Sequence, residues 1–148
     1  MIFDKTLLLS DGQAITATAP STNVIDLGAT GTPFGSSVAL TRDIGIGEEC
    51  VDISVSVTQA FNNLTSLQVT VQTSPDNATW TDVLSGRAVP LASLVAGYQF
   101  FVPAEFPEGT RARYVRLNYT VVGTAPTTGA ITAGVVASRQ TNRTIGGA

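Results

Sequence analysis

The side chains able to do chemistry are few and unevenly placed. Four acids, Asp43, Glu48, Glu49 and Asp52, crowd the stretch DIGIGEECVD, an oxygen-rich composition of the kind a calcium ion takes. The Asp-x-Asp-x-Asp-Gly spacing of a calcium loop is absent, so the stretch reads as a mobile-looking, solvated acidic connection. Gly45-x-Gly47 opens like a phosphate-cradling loop, but position 50 is Cys50 and the flanking strand–helix context is missing. Arg111, Arg113 and Arg116 form the one basic cluster. On a strand face they could meet a carboxylate or phosphate surface on a partner; the simpler reading is that they balance acids on neighbouring strands.

What is missing narrows the chemistry further. Histidine is absent, which removes Ser-His-Asp and Cys-His arrangements, imidazole-ligated metals and the usual general base near neutral pH. Cys50 is the single cysteine, so neither an intramolecular disulfide nor a cysteine-rich zinc site is available. Lys5, the only lysine, stands at the terminus rather than in a desolvated pocket where it could act as a nucleophile. A hydrolase with a carboxylate pair would need two acids about 5–10 Å apart in a cleft, and no pair is so placed by spacing alone. The expectation is therefore a protein that is not an enzyme and that carries no metal or cofactor. A net charge of −3 provides no long-range field for nucleic acid. The opening MIFDKTLLLSDG is too short an apolar run to span a membrane and begins with an acid where a signal peptide would be basic, so neither nucleic acid nor membrane is expected as a partner.

The elements that would position these groups are strands. A length of 148 residues suits one domain, here 1–148, and the 13% charged fraction is about half the globular average. Thr, Ser, Gly, Val and Ala fill the difference, a composition suited to sandwiches and barrels. Leu64–Val83 reads as a complete hairpin: Leu67, Val69 and Val71 alternate with polar residues, Ser74-Pro75-Asp76-Asn77 turns the chain, and Thr79–Val83 returns. Trp80, the only tryptophan, is expected to plug the core.

Around this hairpin, Thr6–Leu9 is a short apolar run, Ser10-Asp11-Gly12 a turn, Gln13–Thr18 a strand and Val24–Leu27 another. Gly28–Ser37 reads as an exposed loop around Phe34, whose packing the sequence does not decide, and Val38–Leu40 as a short strand. Cys50–Thr58 alternates, with Val51, Ile53, Val55 and Val57 on one side. Arg87–Ala96 is ambiguous between helix and strand. Tyr98–Val102 is a strand, Pro103–Thr110 a loop, and Arg113–Val122 a strand with Val115, Leu117, Tyr119 and Val121 inward. Gly123–Gly129 is a turn and Ala130–Ser138 the last strand, before a polar tail at 139–148. Four Asn-x-Thr sequons, at Asn63, Asn77, Asn118 and Asn142, are most simply chance in so Thr-rich a chain. With no helix to cover a sheet, two sheets must cover each other, and a jelly-roll or related Greek-key β-sandwich is the expected all-β fold.

Two resemblances add to this reading. Ser74–Trp80, with Arg113-Tyr114-Val115-Arg116-Leu117 downstream, resembles the Ser-x-Asp…Trp turn and Arg-Tyr-Val-Arg-Leu strand of galactose-binding-like jelly rolls, many of which bind carbohydrate. The sugar-contacting loop residues of that family have no match here, so a carbohydrate-binding module with a glycan partner is the alternative reading. The run Leu8–Gly28, LLSDGQAITATAPSTNVIDLG, is similar to the opening of the capsid cement, or decoration, proteins of short-tailed bacteriophages, with Gly12 and Pro20 standing where relatives are expected to have alanine. That resemblance implies a jelly-roll homodimer, made in the host cytoplasm and bound to the outer capsid surface of the virion. There it would bridge subunits of the major capsid protein and brace the shell against packaged DNA. The family supplies no catalytic residues. The residues expected to meet the capsid are Ile2, Phe3, Leu7 and Leu8 in an N-terminal arm at 1–8, Phe34 in the first long loop, and Phe106 with Arg111 in the second.

Overall fold

Period-two burial in a handful of stretches decides how the chain is laid down. The computed structural model describes residues 2–140. Nine strands follow in order: β1 (Leu8–Ala14), β2 (Ala19–Pro20), β3 (Ile25–Asp26), β4 (Ile53–Gln59), β5 (Leu64–Ser74), β6 (Thr81–Ser85), β7 (Val89–Pro90), β8 (Tyr114–Gly123) and β9 (Ala130–Val135). Short 3-10 turns at Lys5–Leu7 and Leu91–Ser93 are the helical pieces among the described residues, and no helix there is long and apolar enough to cross a membrane.

All pairings are antiparallel. One sheet runs β1-β9-β4; the other runs from β2 and β3 through β8 and β5 to β6 and β7. An irregular edge extends the first sheet, because residues 97–106 bond along β4. The amides of Val57 and Ile53 donate to the carbonyls of Tyr98 and Ala104 at 2.9 and 2.8 Å, and those of Phe100 and Phe106 donate to Val55 and Val51 at 2.9 and 3.1 Å. Each layer then has four members, in the strand order of a jelly roll. The expected strand at Tyr98–Val102 is this edge, reduced to isolated bridges because Pro103 has no amide to continue the ladder.

Leu9, Ile53, Val55 and Ile131 from one sheet meet Leu67, Val69, Val71, Val115, Leu117 and Tyr119 from the other, all fully buried. Fully burying one such aliphatic side chain is worth roughly 1.5–3 kcal/mol, and this two-sided layer is what holds the sheets together. Val51, counted with the inward set, lies before β4 begins and is exposed.

The hairpin forms as the alternation predicts, with β5 paired to β6. Its turn is built by Asp76, whose Oδ1 accepts the amides of Ala78 and Thr79 at 2.9 and 2.8 Å and the Ser74 hydroxyl at 2.9 Å, while Asn77 takes φ +59°. Trp80 is not a core plug. It is half-buried on the outer face, with the Arg116 guanidinium 3.9 Å from its ring centroid. The core layer is filled by smaller side chains, and the indole earns a cation–π contact instead.

Ser10-Asp11-Gly12 is not a turn either. It lies inside β1, where the register slips twice against β9, and Gly12 supplies φ +56° for the bulged backbone. The bulges let Ser10 and Gln13 share a polar tie between sheets. Ser10 Oγ donates to Gln13 Oε1 at 2.7 Å, so the buried Tyr119 hydroxyl, also 2.7 Å away, must donate to Ser10. Gln13 also accepts from the Thr22 amide and donates to the Pro20 carbonyl, both at 2.9 Å. Burial raises the Tyr119 phenol far above its ordinary range, so it stays protonated. Val38–Leu40 forms no strand, and Arg87–Ala96 resolves into β7 and the second 3-10 turn, with Leu94 buried behind it. Of the polar tail, residues 141–148 lie outside the described residues. Arg139 is held by the Asp52 carboxylate and the Phe100 carbonyl.

Replacing Tyr119 by Phe removes the buried donor while leaving Ser10 its bond to Gln13. Stability should fall by about 1 kcal/mol, read as a lower urea midpoint at unchanged slope. An unchanged midpoint would show that the tie does not hold the two sheets.

Candidate functional site

Strand direction gathers several chain segments at one end of the sandwich. β1, β4 and β8 begin there, and β3, β5 and β9 end there, as their pairings require. The N-terminal turn, the connection from β3 to β4 and the loop before β8 therefore emerge together.

The connection from β3 to β4, residues 27–52, contains no strand or helix. It far exceeds the roughly 12–15 residues beyond which an irregular loop in a compact domain is uncommon and is usually either functional or a linker. Its side chains are also unusual for a solvated loop. Phe34 is 108% exposed relative to a reference residue, Val38 69%, Leu40 58% and Ile46 60%.

The loop is shaped internally and pinned at its root. The Ser36 amide bonds back to the Pro33 carbonyl at 3.0 Å, and Leu40 donates to Gly31 at 3.0 Å, closing the tip around Phe34. Arg42 reaches back to the carbonyls of Leu27 and Gly28. The next residue, Asp43, holds the neighbouring loop: Oδ2 accepts the Gly109 amide and Arg111 Nε, both at 2.9 Å, while Oδ1 accepts the Gly45 amide at 3.0 Å. Burial raises the Asp43 pKa, but the Arg111 bond and two amides outweigh it and leave the carboxyl below its ordinary range. A Cβ on Gly45 would lie 2.0 Å from the Pro107 carbonyl oxygen, so only glycine fits where the two loops touch. The stretch expected to be mobile is thus anchored at Asp43.

The basic cluster is spent on structure. Arg111 pairs with Asp43, Arg113 makes a two-pronged bond to Asp26 at 2.7 Å on each oxygen, and Arg116 binds Trp80 and Gln72. The bond from Arg113, helped by the Gly28 amide, holds the Asp26 carboxyl down to about 2. The acids do not converge: among the described residues no group of three or more His, Cys, Asp or Glu is placed to hold a metal ion. Exposed Cys50 is pushed above its ordinary pKa, first by its hydrogen bond to Glu105 and then by surrounding negative charge, which keeps it a weakly reactive thiol.

Of the residues expected to meet a partner, Phe34 stands free at the loop tip, and Arg111 lies at that loop's root with its side chain 58% exposed. Ile2 is 89% exposed, Leu7 36%, and Phe3 is half-buried. Ile2 and Leu7 line a shallow groove of about 440 Å³ with Asp4, Val135, Val136 and Ala137. Leu8 and Phe106 are corrected: at 8% and 3% exposure both are buried, Phe106 in the core between the sheets, where its amide continues the edge along β4, and Leu8 at the opening of β1, covered against Gly134 of β9. The arm therefore ends before Leu8, at a 3-10 turn capped by Asp4, which accepts the Thr6 amide at 2.8 Å. Sequence reasoning missed Val38, Leu40 and Ile46. Their signal was an apolar residue set recurring through a glycine-rich stretch without the alternation of a buried strand.

Asp43→Ala should free the loop without unfolding the sandwich, seen as protease cleavage within 28–51 while the Tyr119-centred core keeps its amide protection; simultaneous loss of both would show that the root is part of the core. Asp26 and Asp76 are each held down to about 2. Both therefore contribute stability above the unfolded carboxyl value of 3.8 and lose it as pH falls toward about 2. The melting temperature should stay level down to about pH 4 and drop below it, and a decline starting near neutral pH would contradict these assignments.

No curated protein matches the chain. The family model described as Bbp16 matches residues 9–138, which takes in every strand from the body of β1 to the end of β9. The chain belongs to the Bbp16 family, a phage-associated family.

Proposed function

We propose that this phage protein is a capsid cement, or decoration, protein of the virion. It acts by binding surface rather than by catalysis, on the outer face of the shell, and bridges subunits of the major capsid protein as a homodimer. The observation that carries this reading is the anchored, apolar loop 28–51 displayed at one end of a rigid sandwich, in a phage-associated family. Exposed Phe34, Val38, Leu40 and Ile46 contribute nothing to the core, and leaving them in water is costly unless something covers them. The ties at Arg42 and Asp43 remove much of the ordering entropy that docking would otherwise cost. The N-terminal residues Ile2 and Leu7 leave from the same end and extend the surface. A two-fold pair of such ends would engage two capsid subunits, the second contact being effectively intramolecular, and modest interfaces repeated over a shell would add up to strong bracing.

Purified protein mixed with expanded, protein-free capsids of its own phage should cosediment saturably at a fixed ratio to the capsid subunit. Light scattering should give twice the chain mass for the free protein. Phe34→Ala combined with Leu40→Ala should weaken binding by at least about tenfold, as loss of an exposed aromatic anchor does, with an unchanged melting temperature. Failure of the unmodified protein to bind would remove the cement reading, and undiminished binding by the double variant would remove the loop from it.

A further inference from the structure

Away from the docking end, a second concave site lies on the flank where the open edges of the two sheets meet. Arg87, Val89, Tyr98, Phe100, Phe101 and Val102 line a cleft of about 350 Å³, within the size of small-ligand sites. Val89 and Phe100 are buried, whereas Phe101 is 76% exposed and Val102 41%. Tyr98 stands edge-on to Phe100, with centroids 5.3 Å apart. The walls are held from behind. A Cβ on Gly86 would lie 2.3 Å from the Val102 carbonyl oxygen, so the backbone before Arg87 is pressed against the opposite wall. The Gly86 amide bonds to Val69 at 2.8 Å, and its carbonyl accepts from Gln68 at 2.7 Å.

Arg87 is the unusual member. Arg42, Arg111, Arg113, Arg116 and Arg139 all hold carbonyls, carboxylates or an amide oxygen of this chain. Arg87 has no hydrogen-bond or ion-pair partner among the described residues. A cation left unpaired beside exposed aromatic and aliphatic walls selects a ligand with a carboxylate on an apolar body. A sugar fits poorly: apart from Arg87, the only polar side-chain group in the lining is the Tyr98 hydroxyl, and buried sugar hydroxyls would go unsatisfied. We propose that this cleft binds a peptide segment of a partner protein in which an acidic residue adjoins a large apolar one, the carboxylate on Arg87 and the apolar side chain against Phe101 and Val102. The proposal is independent of the docking end and of the capsid reading.

The test is titration of the isotope-labelled full chain, followed by amide shifts at Ala88, Phe101 and Val102. Three probes are used: an acetylated, amidated tetrapeptide glycine–phenylalanine–glutamate–glycine, its glutamine counterpart, and galactose. The glutamate peptide should shift these amides saturably, and the glutamine peptide should bind about tenfold more weakly, because a charge-assisted bond is lost. Arg87→Met, which keeps the apolar stem, should abolish that preference while leaving the remaining spectrum unchanged. Absence of saturable shifts with the glutamate peptide, equal affinity for the two peptides, a preference that survives Arg87→Met, or saturation by galactose in place of peptide would each overturn the proposal.

Discussion

The architecture rests on one constraint: among the described residues nothing but sheet is available to cover sheet. Each layer has an apolar face that leaves water only against the other, so the inner faces of β4, β9 and β1 must lie over those of β5 and β8. That demand fixes which residues point inward and commits the strand faces to packing or to solvent. Binding groups are then left to the loops at the ends and to the open flank. The long connection 27–52 and the Arg87 cleft occupy those places.

Polar contacts do a different job from the core. Where the chain crosses between layers, the Tyr119–Ser10–Gln13 tie fixes the corner. At the end where the long loop emerges, Asp26, Asp43 and Asp76 accept backbone amides and so shape loops that have no ladder of their own. The carboxylates that looked like a candidate ion site are thus divided: Asp43 into loop architecture, Asp52 onto the Arg139 amide, and Glu48 and Glu49 into solvent. Among the described residues the arginines went the same way, with Arg87 as the exception.

Much of the sandwich was legible, because alternation in Leu67–Val71, Ile53–Val57 and Val115–Tyr119 is a direct consequence of one face being buried. Trp80 was misread because size alone does not say on which side of a sheet a ring falls; its position just before β6, beside the outward Arg116, does. The turn assigned to Ser10–Gly12 was a bulge, a distinction set by the partner strand β9 rather than by local chemistry. Leu8 and Phe106 could not be separated from Phe34 by type, since all are large and apolar in loop-flanking positions. What separates them is long-range pairing: the first two are continued into ladders, and Phe34 is not. Similarly, nothing in the sequence sets Arg87 apart from the other described arginines, because their partners come from distant segments.

The adjacent grips of Arg42 and Asp43 carry a consequence for how this surface can change. Arg42 ties back to the carbonyls at 27 and 28, and Asp43 ties outward to Gly109 and Arg111, so residues 29–41 form a ring closed on itself before it meets the sandwich. Length and sequence inside that ring are decoupled from the register of every strand. The segment is a natural cassette, where substitution, lengthening or replacement by a foreign peptide can retune what the protein meets while the scaffold beneath goes on folding as before.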